Sequence, residues 1–87
     1  MAVVCLHGPL RNLAGGRSAQ EVSGDDVQAV LRSLEDLYPS VTGWILDERG
    51  TVRRHINVFV NGERGGEETT VCAADRIEIL PAITGGS

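Results

Sequence analysis

Apolar residues along the chain follow two distinct periods. From Val27 they recur as Val27, Val30, Leu31, Leu34, Leu37 and Tyr38, the spacing that lays a single stripe along a helix. Ser23 stands ahead of the stripe as a candidate N-cap, with Asp26 three residues on as in a capping box. Asp25 and Asp26 lie where a helix dipole favours negative charge, and Pro39 stops the helix. Arg32 and Asp36 are spaced as an exposed i,i+4 pair.

The rest of the chain is strand-like or turn-like. Ala2–His7 (AVVCLH) is rich in β-branched residues and ends at Gly8-Pro9, which predicts a strand. Asn12–Arg17 (NLAGGR) reads as a turn, and Arg17–Val22 as a second strand closing an N-terminal hairpin. Val41–Arg54 is a connector, broken at Gly43, with a short apolar run at Trp44–Leu46 and a turn at Asp47–Gly50. His55–Val60 is a strand that runs into Asn61-Gly62, a pair that tolerates positive φ and so marks a hairpin. Glu63–Glu68 is polar and loop-like, Thr69–Cys72 allows a brief strand, and Arg76–Leu80 is the last strand, with Pro81 ending regular pairing.

One helix covers only one face of a sheet, so this order predicts an α+β architecture, a mixed sheet packed on one main helix. Alternation divides the faces. Ile56, Val58 and Val60 with Ile77 and Ile79 belong against the helix; Asn57, Phe59 and Asn61 with Glu78 and Leu80 point the other way. Phe59, the only Phe, and Leu80 are thereby candidates for an apolar docking patch on the open face.

Composition narrows the possible functions. Eighty-seven residues with 41% hydrophobic content make one folded domain. The net charge of −4, without a basic run, argues against nucleic acid or an anionic membrane surface as partner. No apolar run approaches the length of a membrane span and no basic leader precedes the first strand, which points to the cytoplasm. Cys5 and Cys72 read as buried, reduced thiols. With only His7 and His55 beside them, no metal-ligand spacing appears. All eight basic residues are arginine, so the chain offers no lysine amine as nucleophile or isopeptide acceptor. No GxxxxGK[ST] or GxGxxG motif suggests a nucleotide site, and Cys5, His7 and Asp75 have no spacing that assembles a nucleophilic site. The protein is expected to bind no cofactor and to have no catalytic residues of its own.

The chain ends PAITGGS. An extended Ala82–Gly86 reaches roughly 16 Å, enough to enter a partner's cleft while the domain stays outside. Glycine in the last positions leaves no Cβ to crowd a narrow channel and opens backbone angles closed to other residues. The expected organisation is a domain over 1–81 and a flexible diglycine tail over 82–87.

Taken together, the hairpin, the single helix, the NVFVNGE strand and turn at Asn57–Glu63 and the DRIEILPAITGG run at Asp75–Gly86 resemble the ubiquitin-like sulfur carriers. These are β-grasp domains that include the small subunit of molybdopterin synthase, the thiamine sulfur carrier and the carrier of the cysteine synthase pathway. The last is the most similar branch, sharing LRxxxGG at Leu10, Arg11, Gly15 and Gly16 and the connector length around Leu46–His55. The resemblance implies a β-grasp fold and makes the terminal glycine the working residue. Gly86 would be adenylated with ATP by a partner resembling a ubiquitin-activating enzyme, then converted to a thiocarboxylate, with Gly85 its companion. Phe59, Leu80, Pro81 and Ile83 would contact partners. A sulfur-accepting synthase, resembling a cysteine or thiazole synthase, would consume the sulfur. The family's active form ends at the second glycine, which implies that a peptidase removes Ser87. Ala74-Asp75 stands where the family usually has Gly-Asp. The alternatives are the small subunit of molybdopterin synthase and a ubiquitin-like protein modifier.

Overall fold

The first strand and the last lie side by side. In the computed structural model, which describes residues 1–16 and 19–81, β1 (Ala2–Leu6) runs parallel to β5 (Arg76–Pro81), with Val4 opposite Ile77 and Leu6 opposite Ile79. Two antiparallel strands flank this pair: β2 (Ala19–Val22) on β1, and β3 (Ile56–Val60) on β5. A short β4 (Glu63–Gly65) hairpins back on β3, giving the five-stranded order β2-β1-β5-β3-β4. Between β1 and β2 stands a helical turn, α1 (Pro9–Leu13); the main helix, α2 (Val27–Leu37), links β2 to the second half of the sheet. This is the expected α+β sheet with one main helix.

The core is the layer between α2 and one sheet face. Val27, Val30, Leu31 and Leu34 of α2 meet Val4, Val22, Ile56, Val58, Ile77 and Ile79, all buried. Burial of each such side chain contributes about 1.5–3 kcal/mol. The connector adds Val41, Ile45 and Leu46 to the same cluster and leaves Trp44 half exposed.

Several expectations need correction. The N-cap of α2 is Asp26, not Ser23: its carboxylate accepts from the Ala29 N–H at 2.8 Å, because an isolated bridge between Asp26 and Thr70 holds residue 26 extended. Gly24 enforces the tight corner before it; a Cβ there would meet the Val30 backbone nitrogen at 2.6 Å. Leu37, the last residue of α2, does not join the core but is 53% exposed. Arg32 does not pair with Asp36; its guanidinium lies over Gly50 instead. Pro81 continues β5, opposite Ile56, which a proline can do where its missing N–H faces away from the ladder. Thr69–Cys72 forms only the single bridge, and Cys72 is exposed, though both thiols are free. Two elements were hidden in turn-like sequence. Pro9 at the start of α1 fits the fixed φ of a first helical residue, and β4 forms in a polar stretch because the Asn61-Gly62 turn, with φ of 53° and 86°, folds it onto β3. The expected flexible tail at 82–87 lies outside the described residues.

The turn into β5 carries strain. Ala74 has φ 75°, a left-handed conformation, while its N–H donates to the Met1 carbonyl at 2.9 Å. A Cβ in that region costs roughly 1–2 kcal/mol, part of which glycine would give back as unfolded-state entropy. Ala74→Gly is therefore expected to stabilise the fold by about 0.5–1 kcal/mol. Urea unfolding with an unchanged slope reads it directly, and a loss of stability would show that the turn is held by something other than backbone angle.

Candidate functional site

Among the described residues, those on the sheet face away from α2 are partly or fully exposed, apart from Cys5. Cross-strand register places its residues in rows. Ala19, Cys5, Glu78, Phe59 and Arg64 lie in line across all five strands. Glu21, Val3 and Arg76 form the row on one side. On the other, Leu80 stands opposite Asn57. Phe59 and Leu80 are thus diagonal neighbours on one surface, separated by the span that large side chains bridge, and both are partly exposed. Pro81 departs from this grouping. Paired with Ile56, it shares the core-facing side, and its ring lies 3.4 Å from where a Cβ on Gly8 would be.

Charge surrounds the apolar patch. His7 Nε2 and Glu78 Oε1 are 3.2 Å apart, an ion pair when the imidazole is protonated. At the β1 end, Arg11 and Arg76 border a concavity whose wall includes Cys5 and Asn12. Cys5 is 3% exposed although its register places it on the open face. Arg64 and Arg76 give this face positive side chains on an otherwise acidic chain. The Arg64 position escaped sequence reasoning because β4 did; only the register of the hairpin puts it beside Phe59.

At one end of the sheet, a side-chain clamp joins the β3–β4 turn to the start of β5. Asn61 donates through Nδ2 to Asp75 Oδ1 at 3.0 Å and accepts the Arg76 N–H at 3.0 Å. Asp75 also accepts the Cys72 N–H at 2.8 Å. The last of these and the Asn61 bond hold its carboxyl below the ordinary 3.8, against a smaller opposing effect of burial. His7 and Asp75 are thereby engaged by Glu78 and Asn61, and neither is turned toward Cys5 as a nucleophilic site would need. Among the described residues no group of His, Cys, Asp and Glu could hold a metal ion, and no helix is long and apolar enough to cross a membrane.

β5 carries the chain out of the sheet at its centre, beside Leu80, so the chain beyond Pro81 starts next to the Phe59 patch. Ile83, Gly85, Gly86 and Ser87 lie outside the described residues.

Residues 4–86 match the ThiS family. The sulfur carrier protein CysO of Mycobacterium tuberculosis is 35% identical over 83 residues, covering 88% of this chain and 89% of its own. Small archaeal modifier protein 1 of Haloferax volcanii is 30% identical over 83 residues, covering 93% and 95%. Among solved structures, a chain of the Amycolatopsis orientalis BexX/CysO complex superposes with a TM-score of 0.88 at 31% identity, over 99% of this chain and all of that one (100%). The fold is therefore the β-grasp of ubiquitin-like sulfur carriers and modifiers.

The clamp has a pH signature. A carboxyl with a lowered folded pKa stabilises the fold above its unfolded value of 3.8, and that contribution disappears as the pH falls through the folded pKa. Asp75→Asn should be less stable than the parent at neutral pH, and the difference should shrink as the pH drops below 3.8. Urea midpoints at neutral and acidic pH measure it; a difference that stays constant would mean that Asp75 acts only by shape.

Proposed function

The chain belongs to the ThiS family, and on that premise we propose that it is a sulfur carrier whose Gly86 carboxylate is the reactive group. The carboxylate attacks ATP in the site of an activating enzyme resembling ubiquitin-activating enzymes, releasing pyrophosphate and leaving an acyl-adenylate. A sulfur nucleophile then displaces AMP to give a thiocarboxylate. A synthase resembling cysteine or thiazole synthases consumes that sulfur. The carrier is a protein cosubstrate, binds no cofactor itself, and works in the cytoplasm. Phe59 and Leu80 dock on the activating enzyme, with Arg64 and Arg76 meeting acidic groups around the patch; Pro81 and Ile83 guide the tail into the cleft. Ser87 is removed first by a peptidase, because a Gly86 carboxyl held in a peptide bond cannot be adenylated.

One observation supports this reading above the others: β5 leaves the sheet centre beside Phe59 and Leu80, which are both partly exposed, so one partner can hold the patch and receive the tail together. A second reading, a protein modifier joined through the same glycine, is supported by the 30% identity to small archaeal modifier protein 1. The absence of lysine bars lysine-linked chains of this protein on itself and weighs toward the carrier.

The experiment incubates full-length protein and a version ending at Gly86 with the activating enzyme, ATP and sulfide, and weighs both intact. Only the truncated form should gain the mass difference between sulfur and oxygen, while both bind the enzyme. Conversion of the full-length form at its own terminus would remove Gly86 from the role. Phe59→Ala should weaken enzyme binding by about one to two powers of ten, the equivalent of burying one large side chain, and should leave the fold intact. An unfolded variant would instead make Phe59 part of the core.

A further inference from the structure

The concavity at the β1 end of the open face measures about 480 Å³, with Cys5 and Leu6 in its wall and Gly8 at its rim. Arg11 and Asn12 of α1 line it together with Arg76 of β5. Three observations point to its ligand. The first is charge. No acidic side chain lines the concavity, although the chain as a whole carries a net charge of −4. Neither Arg11 nor Arg76 is in an ion pair among the described residues, and Glu78, two residues along β5, is engaged by His7 at 3.2 Å.

The second is where the chain leaves the sheet. The ring of Pro81 lies 3.4 Å from where a Cβ on Gly8 would be, so β5 ends at the rim of the concavity. Arg11 is within one turn of that point, its N–H donating to the Gly8 carbonyl at 3.2 Å. The third is length. Ala82–Gly86 spans roughly 16 Å when extended, about the length of β5 from Arg76 to Pro81 at about 3.3 Å per residue. A tail turned back after Pro81 therefore reaches Arg11 with chain to spare, and Arg76 only at full stretch. Its residues Ala82–Gly86 have no charged side chain, so the one charge it brings is a carboxylate freed at Gly86.

We propose that the concavity is a carboxylate site and that its occupant is this chain's own tail, with the Gly86 carboxylate on the Arg11 guanidinium and the Asn12 amide beside it. The inference deepens the sulfur-carrier reading and rests on it for the free carboxylate at Gly86. A guanidinium offers paired donors that match the two carboxylate oxygens. Gly85 and Gly86 bring no Cβ to the contact and permit the reversal of the chain. Docked in this way, the tail is parked on the carrier's own surface while no enzyme is bound. An activating enzyme seated on Phe59 and Leu80 has to draw the carboxylate off Arg11, so its apparent affinity falls in proportion to the docked fraction.

The test needs neither ATP nor enzyme. Isotopically labelled chain ending at Gly86 is made once with a free carboxylate and once with a terminal amide, which removes the charge and keeps the shape. At neutral pH and low salt the two spectra should differ at Gly8, Arg11 and Asn12, including the Arg11 Nε–H, as well as at the tail itself. The difference at α1 should fall by more than half by about 0.5 M salt, where screening is short-ranged. Arg11→Gln, at an exposed position, should abolish it, and Arg11→Lys should keep part of it. Three outcomes would overturn the proposal: spectra that differ only at 82–86, a difference at α1 that survives Arg11→Gln, or one that grows with protein concentration and so reports the carboxylate of a second copy. If the tail docks and Gly86 never takes up sulfur, the carrier reading fails alone. If Gly86 takes up sulfur and α1 is indifferent to the terminal charge, this inference fails alone.

Discussion

The structure depends on the pairing of β5 with β1 on one side and β3 on the other. β5 is the last strand of the described chain and occupies the middle of the sheet, so the fold closes only when the carboxyl-terminal residues return between strands made much earlier. Ile77 and Ile79 are completely buried under α2, while Glu78 and Leu80 of the same strand define the opposite face. One six-residue strand thus anchors the core, sets the register of the open face and fixes where the tail begins. The strained turn at Ala74 and the Asn61–Asp75 clamp both lie at its entrance, where they set the register of the whole strand. A one-residue slip would exchange the two faces, placing Leu80 in the core and Ile79 in water.

Much of this was legible in the sequence because the physical signals were local. Val27, Val30, Leu31 and Leu34 repeat with the helical period, and alternation through Ile56–Val60 and Ile77–Leu80 divides the two faces. Asn61-Gly62 announces its own turn through its tolerance of positive φ. The illegible elements depended on distant partners. Asp26 rather than Ser23 caps α2 because Thr70, far along the chain, holds residue 26 extended. β4 has no apolar signature, and its pairing is dictated by the hairpin that precedes it. Pro81 belongs to β5 because its neighbour Ile56 is on the side that needs no N–H from it. Leu37 continues the apolar spacing but is the last residue of α2, and it is exposed.

The candidate site divides in the same way. Phe59 and Leu80 emerge from alternation alone, and the diglycine tail from its chemistry. The charges around the patch do not: His7, Arg64 and Arg76 come to it only through register. The face is therefore less apolar than Phe59 and Leu80 suggest, and its partner surface should combine an apolar pocket with acidic groups. Such charges act mainly on encounter rate and on choice of partner.

On the proposed function Gly86 carries sulfur and the domain presents it. The intact mass of the protein isolated from its native cells, with fragmentation across the tail, tests this most directly. A chain ending at Gly86, with a fraction heavier by the difference between sulfur and oxygen and that mass confined to the last residue, is the predicted result. Protein found only with Gly86 joined to other proteins, or only with an unmodified tail while the cells are consuming sulfur, would contradict it.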